Sequence, residues 1–217
     1  MNTLNRIFDR QIATLLEKDC LGLLGMNERT LLAHCERLRR RLHAVASGPL
    51  DLAAGRIPFV LVVATRDANI ASLMERVRRE GQHGLVSMRP AKPADFVPLP
   101  SLRLPQSPLY LLGGFERGDR YRNVTPENAL RSIRRAGRAP LTLEEGVAIL
   151  LHYPEVLVKN HCFSLPGSRR DDQRVPALWL SEDRPKLGWC WDRNPHTWLG
   201  SASCRRRGGV RALKPSS

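Results

Sequence analysis

The sequence predicts an α+β fold with a helical N-terminal segment, a central mixed β-sheet with flanking helices, and a C-terminal β-hairpin region rich in tryptophan. Three observations support this prediction. Apolar residues recur every three or four positions near the N-terminus, as in amphipathic helices. Two continuous apolar runs, "IPFVLVVA" and "LYLLGGFE", suit buried strands. The last third instead alternates apolar and other residues over short stretches separated by turn formers.

The chain is expected to divide into three parts. Residues 1–46 form the helical segment, with Asn27 as the N-cap of its second helix. Small and turn-forming residues in "VASGPLDLAAGR" then provide a linker to an α+β body over residues 55–204. Residues 205–217 carry five positive charges and no negative ones, among Gly, Pro and Ser. This composition predicts a basic, disordered tail.

The beginning of the body predicts a β-α-β unit. The strand "IPFVLVVA" is followed by a helical pattern that ends at Gly81 and by a second short strand, "HGLVSM". Such units are right-handed. The turn "VATRDAN" after the first strand has neither a GxGxxG nor a GxxxxGK(S/T) pattern, which excludes dinucleotide-binding and P-loop sites there. The proline-rich stretch that follows predicts an extended connection over the body.

Two later helices have well-marked starts. Thr125 is placed to cap the first of them, with Gly137 as its stop. Thr142 and Glu145 have the spacing of a capping box at the start of the second. Before these helices, residues 117–119 spell the Arg-Gly-Asp tripeptide known from integrin binding. In a chain without a signal sequence, this tripeptide predicts a tight turn, with "RYRNV" as the returning segment.

The chain is strongly basic. Lys and Arg number 35 against 21 Asp and Glu, which gives a formal net charge of +14 and a pI near 10.7. Such an excess favours nucleic acid if it is gathered on one face. The candidates for that face are the tail and four arginines of one helix: Arg131, Arg134, Arg135 and Arg138. The alternative is a solvated helix face and a charged tail that bind nothing.

Composition also predicts the compartment. No run of about 18 apolar residues is present, so we expect no transmembrane helix and no membrane partner. Charges interrupt the apolar positions of the first residues, which lack the continuous apolar centre of a secretory signal, so we expect none. The five cysteines are odd in number and widely spaced, which favours reduced thiols over a disulfide scaffold. A cytoplasmic location follows.

The segment "PKLGWCWDRNPHTWLGSASC" holds three of the four tryptophans. Its first part completes a predicted β-hairpin, "ALWLSEDRPKLGWCW". Residues two apart in a strand share a face, so Trp189 and Trp191 are expected on one face and Cys190 on the other. The tryptophan face is then either part of the core or a stacking surface for a flat ligand.

Metal and cysteine chemistry have weaker patterns. Zinc could be held by His161, Cys190 and His196, but the chain has no CxxC pair and we expect no metal site. A cysteine enzyme would use Cys162 or Cys190 as nucleophile and His196 as base. The alternative for each cysteine is a buried, unreactive thiol. Whether a cofactor is bound, and which one, is unknown from the sequence.

Anion binding is predicted more specifically. The loop "GSRRDDQR" can present backbone N–H groups and arginine forks to a phosphate or carboxylate, unless its arginines pair with Asp171 and Asp172. With the tryptophan segment and the strand "KNHCF", it predicts a pocket for a small anionic, possibly nucleotide-like ligand. The candidate ligand-binding residues are Asn160, Ser168, Arg169, Arg170, Trp189, Trp191, Asn194, His196 and Trp198.

Four long blocks of the chain resemble an actinobacterial family of uncharacterised proteins, catalogued as a domain of unknown function. The blocks are "ERGDRYRNVTPENAL", "GRAPLTLEEGVAILLHYPEVLVKNHCF", "GSRRDDQRVPALWLS" and "PKLGWCWDRNPHTWLGSASC". The resemblance is strongest over residues 116–204, and His161 and the tail depart from the family pattern. It implies a soluble bacterial protein and supplies no activity. Ligand binding, a Cys/His-dependent enzyme acting on a small metabolite, and nucleic-acid binding are therefore three competing hypotheses.

Overall fold

The structure, a computed structural model, describes residues 3–64 and 70–210. Its helices are α1 (Thr3–Glu17), α2 (Leu21–Leu24), α3 (Glu28–Arg39), α4 (Leu42–Val45), α5 (Ile70–Arg76), α6 (Pro126–Arg135) and α7 (Leu143–His152). Its strands are β1 (Arg56–Val63), β2 (Arg78–Arg79), β3 (Gln82–His83), β4 (Leu85–Val86), β5 (Val97–Pro98), β6 (Leu109–Glu116), β7 (Ala139–Pro140), β8 (Cys162–Ser164), β9 (Ser168–Arg169), β10 (Arg174–Ser181), β11 (Arg184–Trp191), β12 (Leu199–Ser201), β13 (Ser203–Cys204) and β14 (Arg206–Gly209).

Most strands belong to two five-stranded sheets. In the first sheet, β6 pairs with β1 along its whole length, and its other side pairs with β13 and then with β14. The second sheet has the order β12-β8-β10-β11-β4 and is built around the β10–β11 hairpin. Helices and strands are therefore both major elements, and the predicted α+β class is confirmed.

Helix α7 contacts both sheets, which explains its composition. Eight of its ten residues are buried, as expected of a helix that is apolar on all sides. Gly146 lies so close to Leu165 and Leu178 that a Cβ there would be 2.5 Å and 3.0 Å from their methyl carbons. The predicted capping box is present, with Thr142 and Glu145 each accepting the other's backbone N–H. Helix α7 thus begins where the sequence predicts.

The N-terminal helices share the core of the body. Phe8 of α1 packs against Phe59 of β1, with ring centroids 6.2 Å apart. The Gln11 amide donates to the Phe59 carbonyl and accepts from the Leu61 N–H, on the edge of β1 that no strand covers among the described residues. His152 of α7 bonds to the Leu61 carbonyl on the same edge. Side chains therefore protect an edge strand from pairing with another chain.

The predicted β-α-β unit is wrong in its pairing. Strand β1 pairs antiparallel with β6, whereas the strand from "HGLVSM", β4, is only two residues long and lies parallel to β11 in the second sheet. Helix α5 ends at Arg76, because residues 78–83 form the small β2–β3 hairpin before Gly81 could stop a helix. The predicted start of this helix at residues 68 and 69 lies outside the described residues.

The Arg-Gly-Asp tripeptide forms a turn with a structural role. Arg117 is only 1% exposed and donates two hydrogen bonds to the Asp119 carboxylate, at 2.7 and 2.6 Å. It also donates to the carbonyls of Ala53 and Val156. His161 Nδ1 lies 2.8 Å from the same Asp119 carboxylate. The predicted return through "RYRNV" is absent, since residues 119–121 form a 3₁₀ turn.

Part of the segment predicted as a disordered tail is a strand. Residues 206–209 form β14 against β6, and the side chain of Arg207 is 7% exposed. Its guanidinium donates to both oxygens of the fully buried Glu145, at 2.5 and 2.7 Å. Composition could not show this, because the carboxylate that holds Arg207 lies 62 residues earlier in the chain. Residues 211–217 of the predicted tail lie outside the described residues.

Candidate ligand-binding site

The β10–β11 hairpin forms the base of the site, as the sequence predicts. Its eight residue pairs run from Arg174 opposite Trp191 to Ser181 opposite Arg184. The turn consists of Glu182 and Asp183, both with positive φ, at 52° and 61°. Two consecutive positive φ values characterise the tight turn whose twist matches that of the flanking strands. The register is therefore fixed locally.

The alternation along β11 places its aromatic and sulfur side chains as predicted. Trp189 and Trp191 share a face and lie edge to face, with centroids 5.2 Å apart. The Arg174 guanidinium, from the opposite strand, lies 4.3 Å and 5.2 Å from the two ring centroids. Cys190 is buried, whereas Trp191 is 43% exposed. An arginine therefore supports the tryptophan pair through cation–π contacts.

All four tryptophans of the chain line one open depression of about 280 Å³. We call it the tryptophan depression; its lining residues are Trp179, Trp189, Cys190, Trp191, His196, Trp198 and Leu199. Trp198 lies edge to face with Trp179, at 6.1 Å between centroids, and 5.5 Å from the His196 ring. The surface is thus almost entirely aromatic and apolar.

A second depression of about 460 Å³ adjoins the first. This polar depression is lined by Lys159, Asn160, Cys162, Trp179, Leu180, Glu182, Asp183 and Trp198. Trp179 and Trp198 belong to both linings, so their edge-to-face pair separates an aromatic space from a polar one. A ligand that crosses this pair would meet both kinds of surface.

Five of the nine predicted ligand-binding residues line these two depressions. Trp189, Trp191, His196 and Trp198 lie in the tryptophan depression and Asn160 in the polar one. Burial lowers the pKa of His196, so its ring is neutral at pH 7. Its Nε2 atom is buried and has no hydrogen-bond partner among the described residues.

The other four predicted residues have structural partners instead. Buried Ser168 accepts a hydrogen bond from the N–H of Leu143, the first residue of α7. Asn194 is exposed, and its N–H donates to the Trp191 carbonyl at 3.2 Å. Arg169 Nη1 lies 2.5 Å from the Asp192 carboxylate, and Arg170 lies 3.2 Å from that of Asp172. The sequence raised this pairing with aspartates as the alternative to anion binding.

The candidate nucleophiles are protonated. Burial raises the pKa of Cys190 to about 12 and also raises that of Cys162. A nucleophilic cysteine needs the opposite shift. Cys162 Sγ lies 3.6 Å from the Val158 carbonyl, to which it donates. Within residues 3–64 and 70–210, no three His, Cys, Asp or Glu side chains are arranged to hold a metal ion.

The predicted arginine face is less extensive than the sequence suggests. Arg131 pairs with Glu127, and Arg134 donates to the Ser101 hydroxyl. Arg138 lies beyond the end of α6 and is only 8% exposed, because it donates to the carbonyls of Gly114 and Ser203 in the first sheet. It therefore does not extend the exposed face of α6.

Trp179 lines both depressions but is not among the residues predicted from the sequence. It lies on the face of the hairpin opposite Trp189, since it pairs with Lys186 across the strands. A two-residue turn at Glu182 and Asp183 would have given this register and placed Trp179 over Gly188. A Cβ on Gly188 would lie 2.2 Å from the Trp179 ring, so the indole occupies the space that the glycine leaves.

A family model described as a family of unknown function, DUF5701, matches residues 14–210. This match includes residues 116–204, where the predicted resemblance is strongest, and it does not show an actinobacterial source. No curated protein and no solved structure gives a significant match. Among the described residues, no helix combines the length and apolar character needed to span a membrane.

Proposed function

The chain belongs to this family of unknown function, and we propose from its geometry that it binds a small ligand with a planar ring in the tryptophan depression. One observation carries the proposal: two edge-to-face indole pairs, Trp189–Trp191 and Trp179–Trp198, line one open depression. Chance surface exposure scatters single aromatic residues instead.

Stacking provides the driving force. Trp191 is 43% exposed, and the other three indoles are half-buried. A planar ring that covers such a surface gains about 1–3 kcal/mol for each aromatic partner, with little dependence on the identity of the ring. Arg174 and the neighbouring indole hold Trp191 in place, which reduces the entropy that binding costs.

The polar depression supports a ligand with a polar substituent. Asn160, Lys159 and the turn residues Glu182 and Asp183 surround the space beyond the Trp179–Trp198 pair. Two acidic side chains and one basic side chain favour hydroxyl or amino groups. The anionic ligand predicted from the sequence stays a separate proposal, since it requires Arg169 or Arg170 to exchange an aspartate for the ligand.

Intrinsic tryptophan fluorescence tests the proposal directly, because every tryptophan of the chain lines the depression. The protein is titrated with matched pairs of neutral and anionic compounds, such as a nucleoside and its monophosphate, and with free sugars as ring-free controls. Saturable quenching by the ring compounds is expected, with equal affinity within a pair if the arginines take no part. Tighter binding of the phosphate would favour the anionic proposal. No quenching by any planar compound would contradict both.

Substitution of Trp198 distinguishes stacking from mere burial. Calorimetry should show that Trp198→Ala weakens binding roughly tenfold or more, whereas Trp198→Phe keeps a ring and most of the affinity. Equal loss in both variants would argue against stacking.

The alternative cysteine enzyme requires fast alkylation of Cys162 or Cys190 at neutral pH. The raised pKa values of both thiols lead us to expect slow reaction of both.

A further inference from the structure

A second concave site lies on the first sheet, away from the tryptophan depression. It has a volume of about 200 Å³ and is lined by Ser47, Gly48, Pro49, Arg56, Gly114, Phe115, Glu116, Arg138 and Arg205. The loop after α4, the beginning of β1, the end of β6 and the junction of β13 and β14 all contribute. The ligand proposed for the tryptophan depression does not use this surface, although the sequence placed Arg138 and the tail residue Arg205 among the candidates for a nucleic-acid face.

The carboxylate at this site is already occupied. Glu116 Oε1 lies 3.1 Å from Arg138, and its Oε2 accepts from Arg120. Arg138 is held further by the Gly114 and Ser203 carbonyls and the Ser203 hydroxyl. These two arginines therefore share the one acidic side chain of the lining.

Two exposed arginines beside them have no carboxylate. Neither Arg56 nor Arg205 makes a side-chain hydrogen bond or ion pair with another residue in the described part of the chain. The Arg205 side chain lies over Gly114, where a Cβ would come within 3.0–3.2 Å of its methylene carbons. Gly114 has a positive φ of 65°, so its backbone conformation also favours glycine. The β6 backbone thus positions Arg205 at the rim of the cavity.

The lining also includes two further donors, the Ser47 hydroxyl and the Gly48 N–H. Within residues 3–64 and 70–210, neither the Ser47 hydroxyl nor the Gly48 N–H donates to another residue. Like charges are also crowded: Arg205 and Arg120 add to burial in lowering the pKa of Arg138. A site with free donors, an excess of guanidinium groups and its only carboxylate occupied attracts an oxyanion.

We propose that Arg56 and Arg205, with Ser47 and Gly48, bind the phosphate group of a small phosphorylated molecule. Two guanidinium forks approach from β1 and from the β13–β14 junction, and the loop supplies two further donors. The concave shape favours a terminal phosphate over the continuous backbone of a nucleic acid. This site is independent of the ligand proposed for the tryptophan depression.

Calorimetry with inorganic phosphate tests the site in the full-length protein. Saturable phosphate binding is expected, weakened roughly tenfold or more by Arg56→Gln and by Arg205→Gln. Both side chains are exposed, so the unfolding temperature without phosphate should stay unchanged in each variant. Arg29→Gln is the matched control, since it removes one exposed charge on α3 and should keep wild-type affinity.

Three results would overturn the proposal. The first is phosphate affinity that neither Arg56→Gln nor Arg205→Gln changes, and the second is acetate binding as tight as phosphate binding. The third is binding of a DNA oligonucleotide without binding of phosphate or a phosphomonoester, which would assign the arginines to nucleic acid instead. Tryptophan fluorescence should stay constant during the phosphate titration, which separates this site from the tryptophan depression.

Discussion

The surroundings of Glu145 and the tryptophan depression differ in whether their polar and aromatic groups have partners within the protein. Glu145 is fully buried, yet its carboxylate accepts from Arg207, from the Tyr110 hydroxyl and from the Thr142 N–H. In the depression, an indole stays exposed and the His196 Nε2 atom has no partner among the described residues. A saturated buried network stabilises a fold, whereas an unsatisfied surface is available to a ligand. The comparison predicts where substitutions should change stability and where they should change binding.

The largest stability effect is expected at Arg207. Replacing it with Ala leaves the Glu145 carboxylate buried without its positive partner, which costs about 3–5 kcal/mol of unfolding free energy. Urea denaturation should show a large fall in the midpoint. Arg206→Ala removes the same charge from an exposed side chain of β14 and should cost about 0.5 kcal/mol. Equal losses in both variants would show that the ion pair does not stabilise the fold.

A pH effect of intermediate size is expected at His152. Burial lowers its pKa from an ordinary 6.5 to about 4. Its Nε2 is hydrogen-bonded to the Leu61 carbonyl, and its buried Nδ1 has no acceptor among the described residues, so the charged ring is disfavoured in the fold. The unfolded chain therefore binds the extra proton first. Stability is complete above pH 6.5 and falls by about 3 kcal/mol as the pH drops to 4.

Thermal unfolding of His152→Gln across this pH range checks the assignment. The amide can still donate to the Leu61 carbonyl but does not titrate, so the variant should lose less stability between pH 6.5 and 4 than the wild type does. Some dependence should remain, because burial also lowers the pKa values of His34 and His196. Identical profiles for both proteins would exclude His152 as the main contributor.

A small stability effect is expected at Trp191. This exposed indole contacts Trp189 and Arg174, and cation–π contacts at exposed sites contribute about 0.5–1 kcal/mol. Trp191→Ala should therefore lower the unfolding free energy by about 1 kcal/mol or less while removing a stacking surface for the proposed ligand. A loss as large as that of Arg207→Ala would place Trp191 in the core and remove the distinction between the two regions.

Features with local causes were predictable from the sequence. The side chains of the caps Asn27, Thr125 and Thr142 each accept a backbone N–H from the first turn of their helix. They were predictable because the donor lies only three residues after the cap. The hairpin and the alternation of Trp189 and Cys190 follow from the two-residue period of a strand in the same way.

Features with distant partners were not predictable. The composition of residues 205–210 resembles a tail, and only the position of Glu145 shows that Arg207 is part of the fold. Arg169 similarly meets an aspartate 23 residues later, Asp192, rather than its neighbours. Trp179 could have been included, since its place follows from the register of the hairpin.

Strand β14 imposes an order on the assembly of the first sheet. Synthesis proceeds from the N-terminus, so Glu145 and the whole of β6 exist well before Arg207 is added. Until then, residues 110–113 of β6 have no partner strand in place of β14, and the Glu145 carboxylate lacks Arg207 as its counterion. Contacts between such distant parts of a chain form slowly. The first sheet can therefore be completed, and Glu145 neutralised, only after residues 206–209 have been added to the chain.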